Sequence, residues 1–341
     1  MSAHETAAPP DRAHDPGIDA AGERAHHVTG APSGPITLAG GGCVRVGTAG
    51  WTDPTLTEPG VFYPDGVTTP EKRLRHYATR FSLVEVDSSY YALPSARNAQ
   101  LWAERTPDDF VFDVKAFALM TGHPSETSRL PKVLREALPK ELRDKARVYA
   151  KDLPAEVLDA VWGGFVDAMQ PLVRAGKLGA VLLQYPPWFV PGSRSQDEIL
   201  EAVERLEGLP CAVELRNRNW FTEHTAERTV QFLTRHQLPF VMVDEPQGTA
   251  SSVPPVVAVT SPALAIVRMH GRNAAQWGVR GASVLEKYRY LYDAGELAEW
   301  SGRIAQAAPA ARETHVVFNN CYGNYGTTNA LEMEQQLSGL A

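Results

Sequence analysis

The sequence predicts a single (β/α)8 barrel of the TIM type, and two observations support that fold. From residue 44 onward, eight short runs with high β propensity alternate with stretches that have the apolar period of a helix. Several of the short runs are almost continuously apolar, which is typical of parallel strands covered by helices. A doubly wound sheet is the weaker alternative. It needs a glycine fingerprint after a strand, and bulky Trp51 stands where a pyrophosphate turn needs a small residue.

The strands and helices follow one another in a regular order. Strands are predicted at 44–48, 83–87, 110–115, 179–184, 211–215, 239–243, 264–270 and 315–319. Thr69 and Ser95 are candidate helix N-caps, and Asp293 with Glu296 has the spacing of a capping box. Further helices are predicted at 155–175, 197–206, 223–236 and from Thr328 onward, whereas 245–263 is predicted to be mostly loop.

The first 42 residues differ in composition from the rest. They contain five prolines and seven glycines and show no apolar period, which predicts a disordered tail. Residues 43–341 then form the single domain. Deletion of residues 1–42 is accordingly expected to leave the melting temperature nearly unchanged.

Charge and cysteine content exclude some classes of protein. The formal net charge is −7, so bulk charge gives no reason to expect a nucleic-acid or membrane binder, although a local basic patch stays possible. No run of about 18 apolar residues is present, which excludes a transmembrane helix. Three cysteines without CxxC spacing favour a reducing, cytoplasmic location. The oligomeric state is left open.

The connection after the third strand is unusually long. Residues 116–152 are rich in Lys, Arg and Pro and would emerge at the C-terminal face of the barrel, where active sites of this fold lie. One interpretation is a lid over a pocket for an anionic ligand. The other is a solvated helical hairpin that pads the barrel.

Ionisable and polar residues gather at the C-terminal ends of the predicted strands. Glu214 and Arg216 alternate on the fifth strand, as Arg268, His270 and Arg272 do on the seventh, so each set shares one strand face. The candidate catalytic residues are Glu85, Glu214, His270 and Lys115. The candidate substrate-binding residues are Trp51, Asp87, Tyr90, Tyr91, His123, Gln184, Arg216, Arg268, Arg272, Asn319 and Asn320.

Two interpretations of this charge cluster compete. The charges can simply neutralise one another inside the barrel, since a lone buried charge costs several kcal/mol. A pocket is favoured because the charges keep to one end of six different strands. Glu214 or Glu85 would then be a general base and His270 a proton shuttle, while Arg216, Arg272 and Lys115 would hold a phosphate or carboxylate.

No cofactor is predicted, although a divalent metal is possible. A zinc site would need more imidazoles than His270 and His123 at this end of the barrel. Glu85, Asp87 and Glu214 could hold Mg²⁺ or Mn²⁺, so we predict no specific metal ligand and keep the metal open.

Several strings in the sequence resemble the DUF72 (YecE-like) family over residues 44–340. They are VGTAGW at 46–51, VEVDSSYY at 84–91, LQYPP at 183–187, VELR at 213–216, RMHGR at 268–272 and FNN at 318–320. The resemblance implies a TIM-type barrel and no activity, because the family is named for having no established function. A loose similarity of its barrel to the endonuclease IV and xylose isomerase group suggests a metal-dependent nuclease. Ala49 departs from the family's usual Ser, short members lack the insertion, and the shortage of histidines argues against a three-metal centre.

These observations predict an enzyme, with hydrolase as the candidate class, that binds a small anionic substrate at the C-terminal barrel face and acts by acid–base chemistry. One alternative is a divalent-metal phosphodiesterase or nuclease. The other is a non-catalytic barrel that binds a ligand or nucleic acid.

Overall fold

Eight parallel strands form the predicted barrel. The computed structural model describes residues 15–28, 34–249, 252–279, 281 and 283–341. The barrel strands are β1 (Cys43–Ala49), β2 (Leu83–Val86), β3 (Val111–Lys115), β4 (Leu178–Tyr185), β5 (Cys211–Leu215), β6 (Val241–Asp244), β7 (Leu264–Met269) and β8 (Glu313–Phe318). They pair in the order β5-β4-β3-β2-β1-β8-β7-β6, and a parallel bridge between Val213 and Phe240 closes the circle.

Helices cover the outside of the barrel. They are α1 (Pro16–His27), α2 (Pro70–Tyr77), α3 (Ala96–Glu104), α4 (Ala155–Arg174), α5 (Ser193–Arg205), α6 (Ala226–Arg235), α7 (Ala294–Ala307) and α8 (Tyr325–Ser338). The predicted caps are confirmed, since Thr69 and Ser95 accept backbone N–H bonds and Asp293 forms a capping box with Glu296. Helix α8 begins at Tyr325, three residues before the predicted Thr328. The described residues between β6 and β7 form no helix, as predicted. No helix in the described ranges is long and apolar enough to cross a membrane.

The prediction of a disordered tail over residues 1–42 is wrong for two described segments. Residues 16–27 form α1, which buries Ile18 and Ala21 against Tyr322 and Tyr325. A short strand, Ile36–Thr37, pairs with β1. Composition predicted disorder wrongly here, because a helix that packs on the surface of the barrel domain needs few apolar residues of its own. Residues 1–14 and 29–33 of the predicted tail lie outside the described residues.

Helix α1 is tied to the barrel by charged groups as well. Arg24 forms an ion pair with Glu332 of α8 at 2.7 Å and donates to the backbone oxygen of Tyr292. Asp15, the N-cap of α1, pairs with Arg289 at 2.7 Å. The helix therefore holds the end of the connection between β7 and α7.

The insertion 116–152 contains two short helices, Lys132–Ala137 and Lys140–Arg143, and a pair of two-residue strands, Ser125–Glu126 and Arg147–Val148. Its basic side chains are mostly exposed, as Lys132 and Arg147 illustrate. Its apolar residues Leu130, Leu138 and Val148 pack into the main core. The insertion is thus a packed part of the domain, and its predicted role as a lid stays a prediction.

The N-terminal end of the barrel interior holds a closed set of ion pairs. Nδ1 of His315 on β8 lies 2.9 Å from the carboxylate of Asp113 on β3, and Glu313 pairs with Arg45. Gly179 on β4 leaves room for this pair, because a Cβ there would overlap the Asp113 carboxylate and lie 2.8 Å from Cε1 of His315. The two carboxylates outweigh the effect of burial and raise the pKa of His315 to about 9.

Candidate functional site

A buried network of charged side chains occupies the C-terminal end of the barrel. Arg268 on β7 donates Nε and Nη2 to the two oxygens of Glu85 on β2, at 2.8 and 2.6 Å. Its Nη1 donates to Glu214 on β5 at 2.6 Å. All three side chains are at most 1% exposed. One guanidinium therefore bridges two carboxylates across the barrel axis, as the strand alternation predicts.

Glu214 is the most heavily paired carboxylate of the network. Besides Arg268, its Oε1 accepts from Gln184 at 2.8 Å and from Arg216 at 3.0 Å. Gln184 is its register neighbour on β4. Burial alone would raise the pKa of Glu214, but Arg268 and the surrounding donors hold it well below its usual range. The group is therefore ionised at neutral pH and is a poor proton acceptor.

His270 is fully buried next to Arg216. Nη1 of Arg216 lies 2.8 Å from Nε2 of His270, and Oε1 of Glu214 lies 3.2 Å from the same nitrogen. On the other side of the ring, Nδ1 lies 2.9 Å from Nδ2 of Asn319. Burial, together with the charge of Arg216, holds the pKa of His270 well below its usual range. The imidazole is thus neutral.

Glu245 belongs to the site but was missing from the sequence predictions. It is fully buried just beyond β6, and its Oε2 lies 2.9 Å from Nη2 of Arg216. The predicted strand ended at residue 243, and no candidate site residue was named directly after it. In the observed register Asp244 is beside Met269 and Val243 is beside Arg268, so the inward face continues at 245. This register was the signal that could have identified Glu245.

Lys115 and Asp87 lie between the buried network and the barrel opening. Nζ of Lys115 forms a 2.9 Å ion pair with Asp87 and stands 4.5 Å above the ring of Tyr90. The side chains of Lys115 and Arg216 are 11% and 10% exposed, and that of Asp87 is 31% exposed. Burial raises the pKa of Glu85 to about 7, although Arg268 opposes the shift. Glu85 is therefore the carboxylate of the network that can exchange a proton near neutral pH.

Aromatic rings border the opening. Tyr90 contacts Tyr91 edge-on, with ring centroids 5.0 Å apart, and contacts His123 at 5.3 Å. Trp188, 59% exposed, packs edge-on against His123. Burial lowers the pKa of His123 to about 4, so this imidazole is neutral. The rim presents uncharged rings beside Lys115.

The connection from β7 to α7 adds three residues that the sequence analysis did not select. Trp277 and Tyr288 lie near His270, with ring centroids at 6.3 and 6.1 Å. Nζ of Lys287 is 4.3 Å from the centroid of Trp277, and the guanidinium carbon of Arg216 is 5.4 Å from the same ring. No motif marks these residues, because a long loop brings them to the site.

Three of the predicted site residues lie elsewhere. Arg272 pairs with Asp244 at 2.9 Å and with Glu299 at 3.1 Å, on the side of α7. The strand alternation fails there because β7 ends at Met269 and Gly271 has a left-handed φ of 87°. Trp51 is buried between Trp102 and Phe112, and Asn320 is fully buried with bonds to Tyr290 and Asn329.

A groove of about 810 Å³ lies beside the network and not on it. The insertion contributes Leu119–Gly122 and Tyr149–Lys151 to one wall, and Trp188 and Phe189 lie on another. None of the network carboxylates lines this groove. The ionisable side chains that could act in catalysis meet in the charged network and not in this groove.

The carboxylates at this end of the barrel are the candidate metal ligands. Within the described ranges, no three His, Cys, Asp or Glu side chains form a cluster that could hold a metal ion. Glu85, Asp87 and Glu214, the oxygen donors considered from the sequence, are each engaged by Arg or Lys.

Known proteins are similar to this chain in sequence and in fold. Residues 45–340 match the family model described as "Protein of unknown function DUF72". The chain belongs to the DUF72 family. The UPF0759 protein YunF of Bacillus subtilis is 31% identical over 87% of this chain and 97% of its own length.

Solved structures of DUF72 proteins have the same fold. A family member from Enterococcus faecalis has 27% identity and a TM-score of 0.68, over 86% of this chain and 95% of its own. One from Thermotoga maritima has 29% identity and a TM-score of 0.66, over 86% and 98%. The DUF72 relationship establishes the (β/α)8 fold, and the family is described as one of unknown function.

Proposed function

We propose that this DUF72 protein is an enzyme that binds a small anionic substrate at the C-terminal barrel opening and transfers a proton to or from it. One observation supports this most strongly. The cations Lys115 and Arg216 are about one-tenth exposed at the opening, whereas the carboxylates Glu85, Glu214 and Glu245 lie beneath them at 0–1%. An incoming ligand therefore meets these two cations, with Asp87 beside Lys115, before it meets the buried acids.

Each network residue has a distinct part in this proposal. Lys115 and Arg216 bind a phosphate or carboxylate of the substrate. Glu85 is the proton-transfer group, because its pKa of about 7 lets both protonation states exist at neutral pH. Glu214 stays ionised and orients Arg216 and Arg268. Neutral His270 contacts Arg216 and helps to position that guanidinium.

A thermal-shift titration tests the anion site. Inorganic phosphate, a nucleotide, a sugar acid and a single-stranded oligonucleotide are each added to the wild type, with and without EDTA. At about ten times the dissociation constant, a ligand raises the melting temperature by roughly 2–4 °C. Lys115→Met should lose this shift, whereas Lys132→Met, at a lysine 76% exposed on the insertion, should keep it.

The outcomes separate the competing functions. The proposal fails if no anion stabilises the wild type more than Lys115→Met. Stabilisation that EDTA abolishes supports the metal-dependent phosphodiesterase instead. If an anion binds, candidate substrates that carry the same group are assayed with wild type and Glu85→Gln. Binding without any turnover supports a non-catalytic barrel.

We further propose a cytoplasmic location. Cys43, Cys211 and Cys321 all lie in the described part of the chain, and each is a free thiol. Free thiols persist in a reducing compartment. Fractionation of cells that express the tagged chain tests this directly, and recovery outside the cytoplasm would contradict it.

A further inference from the structure

Lys287 lies at the site, and its amine packs against two aromatic rings. It ends the short helix Val284–Lys287 in the connection between β7 and α7, and it is half-buried. Nζ lies 4.3 Å from the ring centroid of Trp277 and 5.4 Å from that of Tyr288. Among the ion pairs of the described ranges, none includes Lys287. Lys115, at the same opening, differs because Asp87 pairs with it directly.

The charges that face Lys287 come from three other strands. Burial lowers the pKa of its amine to about 8, and the positive charges of Arg216 after β5 and Lys115 on β3 act in the same direction. Glu245 after β6 opposes the shift. For Lys115 the charge of Asp87 outweighs burial and raises the pKa. One opening thus holds a lysine that stays charged and a lysine whose pKa of about 8 gives it a substantial neutral-amine fraction slightly above neutral pH. A desolvated lysine beside another cation is a recognised form of activated amine nucleophile.

We propose that Lys287 is a nucleophile that forms a Schiff base with a substrate carrying both a carbonyl and an anionic group. This inference rests on the proposed function, because Arg216 and Lys115 hold the anionic group while the carbonyl faces Lys287. Arg216 and Lys287 both lie against the ring of Trp277, with the guanidinium carbon 5.4 Å and Nζ 4.3 Å from its centroid.

The step balances without an oxidant or a metal. The neutral amine attacks the carbonyl carbon, a C–N bond forms, and the π-electron pair of C=O moves to oxygen. The nitrogen loses two protons and the oxygen leaves with two as water. The net change is one amine plus one carbonyl giving one imine plus one water.

Reductive trapping tests the proposal. The full-length protein is incubated at pH 7.5 with pyridoxal 5′-phosphate, an aldehyde that carries a phosphate, and then reduced with borohydride. Peptide mass mapping locates the adducts. The lowered pKa gives Lys287 a neutral-amine fraction on the order of a hundredfold above that of an ordinary lysine. We expect Lys287 to be labelled at least tenfold faster than the exposed Lys132. We expect Lys115 to stay unlabelled.

Matched controls assign the reaction to the site. Pyridoxal has the same aldehyde without the phosphate and should label Lys287 more slowly, and inorganic phosphate should protect Lys287 from pyridoxal 5′-phosphate. Lys287→Met and Lys287→Arg should lose the fast adduct. Lys287→Arg keeps the charge, so it should retain the thermal shift with phosphate.

Each result decides one part of the proposal. If Lys287 is labelled no faster than Lys132, the proposal that Lys287 is a nucleophile is wrong. The proposed anion site survives that failure if the thermal shift with phosphate still depends on Lys115. Fast labelling that phosphate does not slow overturns the anionic substrate class. If Lys115 reacts in place of Lys287, the assignment to Lys287 is wrong.

Discussion

Two buried histidines mark the two ends of the barrel, and their surroundings shift their pKa values in opposite directions. His315 at the N-terminal end lies between Asp113 and Glu313, and its pKa rises to about 9. His270 at the C-terminal end lies beside Arg216 and Arg268, and its pKa falls well below the usual range. Burial lowers the pKa in both cases, so the neighbours decide the difference.

The contrast separates a structural from a functional cluster. At the N-terminal end each cation forms an ion pair with a carboxylate. Arg45 pairs with Glu313, and His315 pairs with Asp113. At the C-terminal end Glu85, Glu214 and Glu245 are fully buried, whereas Lys115, Arg216 and the Asp87 carboxylate lie nearer the opening. At the N-terminal end Glu313 is instead more exposed than its partner Arg45.

The largest expected effect is at the C-terminal end. Arg268→Met leaves Glu85 and Glu214 buried without their shared guanidinium, and we expect a loss of about 3–5 kcal/mol in the free energy of unfolding. Urea denaturation measures it. Arg205→Met is the matched control, because Arg205 also pairs with two carboxylates but on the surface, and it should cost about 1 kcal/mol or less. Equal losses in the two variants would contradict the buried network.

The ion pair of His315 at the N-terminal end should make the stability of the protein depend on pH. A histidine with a raised pKa stabilises the fold fully below its unfolded value near 6.5, and this contribution is lost as the pH rises through about 9. We expect about 3 kcal/mol to disappear across that window. In His315→Gln the loss should be absent from urea titrations between pH 6 and 10. A wild type that is equally stable at both limits would argue against the His315–Asp113 pair.

Helix α1 connects the tail to the C-terminal end. Deletion of residues 1–33 removes the burial of Ile18 and Ala21, and we expect a loss of about 2–3 kcal/mol. This expected loss is the opposite of the prediction from composition, in which deletion of the tail leaves the melting temperature nearly unchanged. Because Arg24 and Asp15 bind Tyr292 and Arg289, amide exchange should also rise around residues 287–292. Arg24→Met alone should cost about 1 kcal/mol or less. Unchanged stability of the deletion variant would restore the prediction of a dispensable tail.

The sequence predicted the barrel from the alternation of β-rich runs with helical stretches, and it predicted most of the charged C-terminal cluster from the two-residue alternation within strands. That rule brought together Glu214 with Arg216 and Arg268 with His270. It failed where the strand geometry ends, as at Arg272 beyond the left-handed Gly271, and where register decides which face is inward, as at Glu245.

Long-range contacts account for the other differences. Lys287 and Tyr288 reach the site on a loop that carries no periodic signal. Helix α1 forms because Tyr322 and Tyr325 cover it, whereas its own sequence contains a single large apolar residue, Ile18. Trp51 packs into the core although its position after β1 suggested a place at the opening.

The most direct test of the central claim is to locate a bound anion at one end of the barrel or the other. Crystals of wild type and Lys115→Met are soaked in selenate, and anomalous difference maps are calculated at the selenium edge. We predict a peak in the wild type near Lys115 and Arg216 that is absent from Lys115→Met. A peak near Arg45 and His315, or peaks on exposed lysines alone, would contradict a ligand site at the C-terminal opening.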